Sequence, residues 1–178
     1  MWARKEPGRF FIGVDANAAG LRELSGRAFR AGLANVLFVR AAIEDLPPEL
    51  GGIAGRVTVV LPWGSLLAAV ARPSLPILQG IRALCRPGAS FTAVLGHDPV
   101  RDQQEMLRLG LPTLEAAHLV SDLATGYADA GFTLTSVRAL HAAELTCWPS
   151  SWARRLAHGG ARSFLQIDAR ARGSERRG

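Results

Sequence analysis

Four stretches of this 178-residue chain carry residue types that can do chemistry. Asp15 ends the apolar run Phe10-Phe11-Ile12-Gly13-Val14. An acid at the carboxyl end of a strand in a nucleotide-binding sheet can accept from both hydroxyls of a ribose. An acid in that place can equally cap the following helix, and the residue alone does not choose. Glu44-Asp45 follows the next apolar run; one of the two could face an adenine ring, or both could be solvated loop acids. Leu61-Pro62-Trp63-Gly64-Ser65 ends a third run. There the proline stiffens the turn and leaves a carbonyl and a large π face at a strand end, although a core tryptophan on a tight turn reads the same way. Trp148-Pro149-Ser150-Ser151-Trp152-Ala153-Arg154-Arg155, followed by Arg162, places aromatic rings beside guanidinium groups. This pattern suits a stacked base and its phosphates. It also suits an exposed linker with snorkelling arginines.

These residues need a scaffold, and the chain alternates between two periods. Strands are predicted at residues 10–15, 35–40, 57–61, 89–95, 132–140 and 163–170. Helices are predicted from an Asn17 cap to a Gly32 stop, over 66–84 in two pieces broken near Pro73 and Pro76, and over 114–130 up to Gly131. Met1 to Arg4 reads as the end of a helix. Residues 41–50 and 96–113 read as loops, the second with a short helix, and 141–160 as a linker. Strands separated by helices imply βαβ units and a mostly parallel sheet. The last two strands, joined only by a linker, suggest an antiparallel closing pair. Ligands in such sheets lie beyond the carboxyl ends of the strands, where Asp15 and Leu61 to Ser65 are expected.

Composition narrows the classes. With 48% hydrophobic and 20% charged residues, the chain has material for a folded core. Its formal charge is +6, and residues 152–178 hold seven arginines against Asp168 and Glu175. That leaves the first 151 residues almost neutral and concentrates the polyanion-facing character in the C-terminal stretch. Two cysteines make no disulfide framework and suit a reducing, cytoplasmic setting. The four histidines have no zinc spacing, so no metal is expected. No apolar run reaches a membrane span, and neither a signal peptide nor an internal repeat is evident. No G-x-G-x-x-G precedes Asp15, which argues against a nicotinamide dehydrogenase.

Taken in order, Phe10–Asp15 with Asn17, Phe38–Ala42 with Glu44-Asp45-Leu46-Pro47, Leu61-Pro62-Trp63-Gly64-Ser65-Leu66-Leu67 and Ser150-Ser151-Trp152-Ala153-Arg154-Arg155-Leu156-Ala157-His158-Gly159 resemble the aminoglycoside-resistance 16S rRNA (adenine-1408 N1) methyltransferases of the KamB/NpmA type. The resemblance covers residues 2 to 170. It implies an α/β, Rossmann-like class I fold that uses S-adenosyl-L-methionine. It implies methylation of N1 of a decoding-site adenine in the small-subunit rRNA, with 16S rRNA in the 30S subunit as partner, no membrane, and a cytoplasmic monomer. Position by position, it implies that Asp15 holds the cofactor ribose and Glu44 lies by its adenine. Leu61 and Ser65 line the cofactor pocket, and Trp63 and Trp152 sandwich the flipped adenine, with the Pro62 carbonyl orienting it. Ser150 supports the linker, and Arg154, Arg155 and Arg162 meet rRNA.

The chain also departs from that family. The family begins with a strand and a glycine-rich Asp-x-Gly-x-Gly loop, which these residues lack, so we expect an N-terminally truncated copy. The absent strand belongs in the middle of the sheet, between the strands at 10–15 and 57–61. Its loss leaves two inner edges without ladder partners, and impaired cofactor binding and activity follow. Gly160 stands where the family tends to have a basic residue. The expected organisation is one methyltransferase domain over 1–170 and a disordered basic tail over 171–178. Two other readings stay open: a class I methyltransferase of a small molecule, and a non-catalytic rRNA-binding remnant.

Overall fold

The computed structural model of the chain describes residues 2–111, 114, 116–148, 153 and 162–173. Residues Met1–Pro48 and Glu49–Gly178 form two compact units.

The first unit runs α1 (Trp2–Lys5), β1 (Phe11–Asp15), α2 (Ala18–Arg30) and β2 (Val36–Arg40). β1 and β2 pair in parallel, with Phe11 opposite Val36 and Asp15 opposite Arg40. Asn17 starts α2 because its side-chain oxygen accepts from the N–H groups of Ala19 and Gly20, which have no partner within the helix. Asn35 fixes the start of the chain: its amide lies 2.8–3.3 Å from the carbonyls of Ala3, Glu6 and Arg9. Two strands bury little, and Phe10, Val14 and Leu37 remain exposed.

The second unit runs β3 (Ala54–Val60), α3 (Gly64–Ala71), α4 (Leu75–Leu84), β4 (Cys85–His97), α5 (Gln103–Arg108), α6 (Ala116–Asp129), β5 (Phe132–Leu140), a 3₁₀ helix (Ala142–Cys147) and β6 (Ser163–Ala171). Its sheet has the order β3-β4-β6-β5. β3 and β4 are parallel, and β6 lies antiparallel between β4 and β5. The antiparallel closing pair predicted from sequence is therefore present, and β6 is wedged inside the sheet rather than added at its rim. The break between α3 and α4 falls at residues 72–74. Pro76 lies in the first turn of α4, where the missing proline N–H costs nothing.

The helices pack on one face of this sheet. There Phe91, Tyr127 and Phe132 meet as tilted rings 5.3–6.3 Å apart. All three are fully buried, and the Tyr127 hydroxyl donates to the Val70 carbonyl. Gly126 on α6 meets Pro73 so closely that a Cβ there would lie 2.3 Å from the proline ring. On the opposite face, the carboxyl end of β4 is covered by a second apolar cluster of Val94, Leu140, Leu145, Ala153 and Phe164, against which Leu61 and Trp148 pack.

Among the described residues, β1 has β2 as its one ladder partner and β3 has β4. The sequence Val57-Thr58-Val59-Val60 on β3 is half buried, whereas Phe91 to Leu95 on β4 is almost wholly buried.

Candidate active site

Asp15 closes β1, with its carboxylate exposed. One oxygen accepts from the Asn17 N–H at 2.9 Å, so the acid shapes the turn into α2. Glu44 is exposed in the turn after β2. The Ala41 N–H donates to the Asp15 carbonyl and ties the ends of the two strands together. Asp15 and Glu44 thus belong to the first unit.

In the second unit the chain leaves β3 through Leu61, a non-glycine residue with φ of 50°. Left-handed backbone costs such a residue about 1–2 kcal/mol, and a following proline disfavours helical conformations further. The position is held because the Leu61 N–H donates to the Val94 carbonyl at 2.7 Å and its side chain packs on the apolar cluster. The turn buries Pro62 and leaves Trp63, at the N-cap of α3, 53% exposed. A large aromatic ring displayed on a strained, anchored turn is a surface for stacking. Ser65 follows, exposed in the first turn of α3.

Next to this turn, Gly96 on β4 is pinched between Phe164 and Leu61: a Cβ there would lie 2.8 Å and 2.9 Å from their side chains. β4 ends at buried His97, and beyond it the chain runs through buried Asp98 and Asp102. Asp98 accepts from the N–H groups of Val100 and Arg101. Asp102 accepts from the Asp98 N–H at 2.8 Å. Arg162, immediately before β6, donates to both oxygens of Asp102 at 2.6 and 3.3 Å. With side chains only 14% and 10% exposed, this pair clamps the loop after β4 to the entrance of β6. Sequence reasoning did not single out Asp98 or Asp102. The signal was present in Asp98-Pro99-Val100-Arg101-Asp102, two acids four residues apart around a turn-forming proline after a strand.

Among the described residues, three carboxyls are held below their usual range. The Arg101 N–H acts first on Asp98, with the Val100 N–H and the charges of Arg101 and Arg162 adding to it. The Arg108 guanidinium lowers Glu105. The His141 N–H, then Arg138, lowers Glu144. A carboxyl with a lower pKa folded than unfolded contributes stability above its unfolded pKa and loses it as pH falls through the folded one. So far as these groups set it, the urea midpoint is expected to stay level between pH 5 and 7 and to drop below about pH 4. A midpoint constant down to pH 2.5 contradicts this.

Trp63, Pro62, Leu61 and Ser65 therefore share one turn of the second unit, and Arg162 is joined to Asp102 on the loop after β4. Ser150, Trp152, Arg154 and Arg155 lie outside the described residues. Their neighbour Ala153 is fully buried, in the same cluster that holds Leu61. Among the described residues no group of three His, Cys, Asp or Glu could hold a metal, and no helix is long and apolar enough to cross a membrane.

Comparison with known proteins converges on one family. The family model for NpmA, 16S rRNA (adenine(1408)-N(1))-methyltransferase, matches residues 1–171. A 16S rRNA (adenine(1408)-N(1))-methyltransferase of Escherichia coli is 34% identical over 163 residues, covering 89% of this chain and 74% of that protein. One of Streptoalloteichus tenebrarius is 38% identical over 159 residues, covering 86% and 72%. Among solved structures, a variant of the Catenulisporales acidiphilia enzyme with its cosubstrate SAM superposes with a TM-score of 0.85 at 31% identity, covering 98% of this chain and 80% of that one. The 16S rRNA methyltransferase KamB does so with a TM-score of 0.83 at 32% identity, covering 96% and 80%. These likenesses fix the fold as that of S-adenosylmethionine-dependent methyltransferases, α/β with a mostly parallel sheet and one antiparallel strand. The chain belongs to the 16S rRNA (adenine(1408)-N(1))-methyltransferase family.

Proposed function

We propose that this protein methylates N1 of adenine 1408 in the 16S rRNA of the 30S subunit, that it thereby gives aminoglycoside resistance, and that residues 1–170 act as one methyltransferase domain. The observation that carries the reading is the shared cluster of Leu61 and Ala153. Leu61 starts the turn that displays Trp63, and Ala153 is the chain neighbour of Trp152. Trp63 and Trp152 take opposite faces of the flipped adenine, and the Pro62 carbonyl accepts from its amino group. Unstacking a base costs a few kcal/mol, and stacking on an aromatic side chain returns about 1–3 kcal/mol, so two rings offset the flip. Arg162 meets the rRNA backbone with a guanidinium that Asp102 already orients. Arg154 and Arg155 join it, and Ser150 supports the segment that carries Trp152.

The exposed carboxylate of Asp15 at a strand terminus fits the two hydroxyls of the S-adenosylmethionine ribose, with Glu44 by the adenine of that cofactor and Leu61 and Ser65 lining its pocket. S-adenosylmethionine supplies the methyl group: the in-plane lone pair of adenine N1 forms the new N–C bond as the C–S bond of the sulfonium breaks, leaving a neutral thioether and a cationic base. No strong general base is needed, and the chain's task is alignment and exclusion of water.

These 178 residues contain no Asp-x-Gly-x-Gly loop for the methionine end of the cofactor, so affinity in this form is expected to be weaker than micromolar. Calorimetric titration with S-adenosylmethionine measures it, and micromolar binding contradicts the expectation. At millimolar S-adenosylmethionine, 30S subunits incubated with the protein are expected to show a reverse-transcription stop at adenine 1408. No stop at any cofactor concentration, or a stop at another nucleotide, overturns the assignment.

A further inference from the structure

On the sheet face opposite the Phe91-Tyr127-Phe132 core, away from the cluster at the carboxyl end of β4, a row of residues stands at one register. Arg56 on β3 is opposite Ser90 on β4, Ser90 is opposite Arg170 on β6, and Arg170 is opposite Thr133 on β5. Partners across a ladder project to the same side, so Arg56, Ser90, Arg170 and Thr133 share this face, and the two arginines stand about 10 Å apart, two strand spacings. Arg172 joins them, its Nε donating to the Thr133 hydroxyl. Arg56, Arg170 and Arg172 are exposed, and none has an ion pair among the described residues. By contrast Arg9, Arg27, Arg101, Arg108, Arg138 and Arg162 are each paired with a carboxylate.

Asp168, in the next row on that face, is already satisfied: its oxygens accept from the Thr92 hydroxyl at 2.8 Å and the Gln166 amide at 2.7 Å. The arginines' partners in the row, Ser90 and Thr133, bear hydroxyls. Unpaired like charges set along one row repel each other until an anion lies across them, and a row of exposed donors matches consecutive backbone phosphates.

We propose that Arg56, Arg170 and Arg172 form a second RNA-backbone contact, at the opposite end of the sheet from Trp63. From Ser90 to His97 at the carboxyl end of β4, seven residues separate the two ends, about 23 Å of strand. The enzyme grips phosphates well away from the base it modifies, so this surface supplies affinity and orientation and takes no part in base selection. It rests on the reading of small-subunit rRNA as substrate.

The test is equilibrium binding of the full chain to 30S subunits over a salt series, comparing the parent with the Arg56→Gln/Arg170→Gln/Arg172→Gln variant and the matching triple lysine variant. The glutamine variant is expected to bind at least tenfold more weakly near 0.1 M salt. Its plot of log K against log salt is expected to flatten by about two to three, close to one for each phosphate that is no longer neutralised. The lysine variant is expected to keep the parent slope, which separates charge from any loss of folding. A glutamine variant with parental affinity and slope overturns this surface alone. A lysine variant as flat as the glutamine one overturns it too. A parent that does not bind 30S subunits overturns both this surface and the rRNA reading.

Discussion

Replacing Trp63 with alanine is expected to lower kcat/KM for methylation of 30S subunits by about 5- to 150-fold, the range given by removing one base stack of about 1–3 kcal/mol. The side chain is 53% exposed, so its removal opens no cavity. The thermal midpoint and the affinity for S-adenosylmethionine are expected to stay near those of the parent. The loss should fall on kcat rather than on 30S affinity, because the ring acts only once the base has left its stack. Trp63→Phe keeps a flat ring at the same turn and is expected to recover most of the rate. Parental activity in Trp63→Ala sinks the stacking role, and an equal loss in Trp63→Phe and Trp63→Ala points to a purely structural ring.

The second large effect is expected at Asp102. Truncating Asp102→Ala strands a guanidinium that is 14% exposed and removes the acceptor of the Asp98 N–H. Breaking one side of such a pair costs about 3–5 kcal/mol, which for a chain of this size lowers the melting temperature by roughly 6–20 °C. Asp102→Asn keeps an oxygen for Asp98 but no charge for Arg162, so it is expected to fall between alanine and parent. In a double-mutant cycle, Asp102→Ala with Arg162→Met should cost clearly less than the two single changes together, because no partner is left behind. Additive losses measured by calorimetry contradict a direct clamp. Because Arg162 leads into β6, the asparagine variant is also expected to lose methyl transfer while its affinity for S-adenosylmethionine is unchanged.

Much of the fold was readable because its determinants are local. Asn17 caps α2, Pro76 marks the first turn of α4, and apolar runs with turn residues on either side mark the six strands found among the described residues. The Trp63 turn was readable for the same reason: proline and glycine on either side of a tryptophan restrict the backbone wherever they occur. What escaped depends on distance along the chain. The insertion of β6 between β4 and β5 is decided by pairings such as Thr92 with Asp168, 76 residues apart, and no local pattern encodes the slot a strand takes. Asp102 and Arg162 are separated by 60 residues, so each alone reads as an ordinary surface charge. The left-handed backbone at Leu61 opposes its own propensity and is imposed by Val94 and the cluster beneath it. Arg170, which as sequence looks like part of a closing strand beside a solvated tail, gains a role only when the register sets it in one row with Arg56.

The wedged position of β6 also sets a timetable. β5 touches the rest of its sheet through β6, and β6 is the last strand described in the chain. During synthesis β3 and β4 can pair early, but β5 must wait as an unpaired strand until Ala171 has left the ribosome. Closure over such long separations is slow, and the exposed edges of β4 and β5 are open to wrong partners meanwhile. The last nine residues of the sheet therefore govern the yield of folded protein out of proportion to their number.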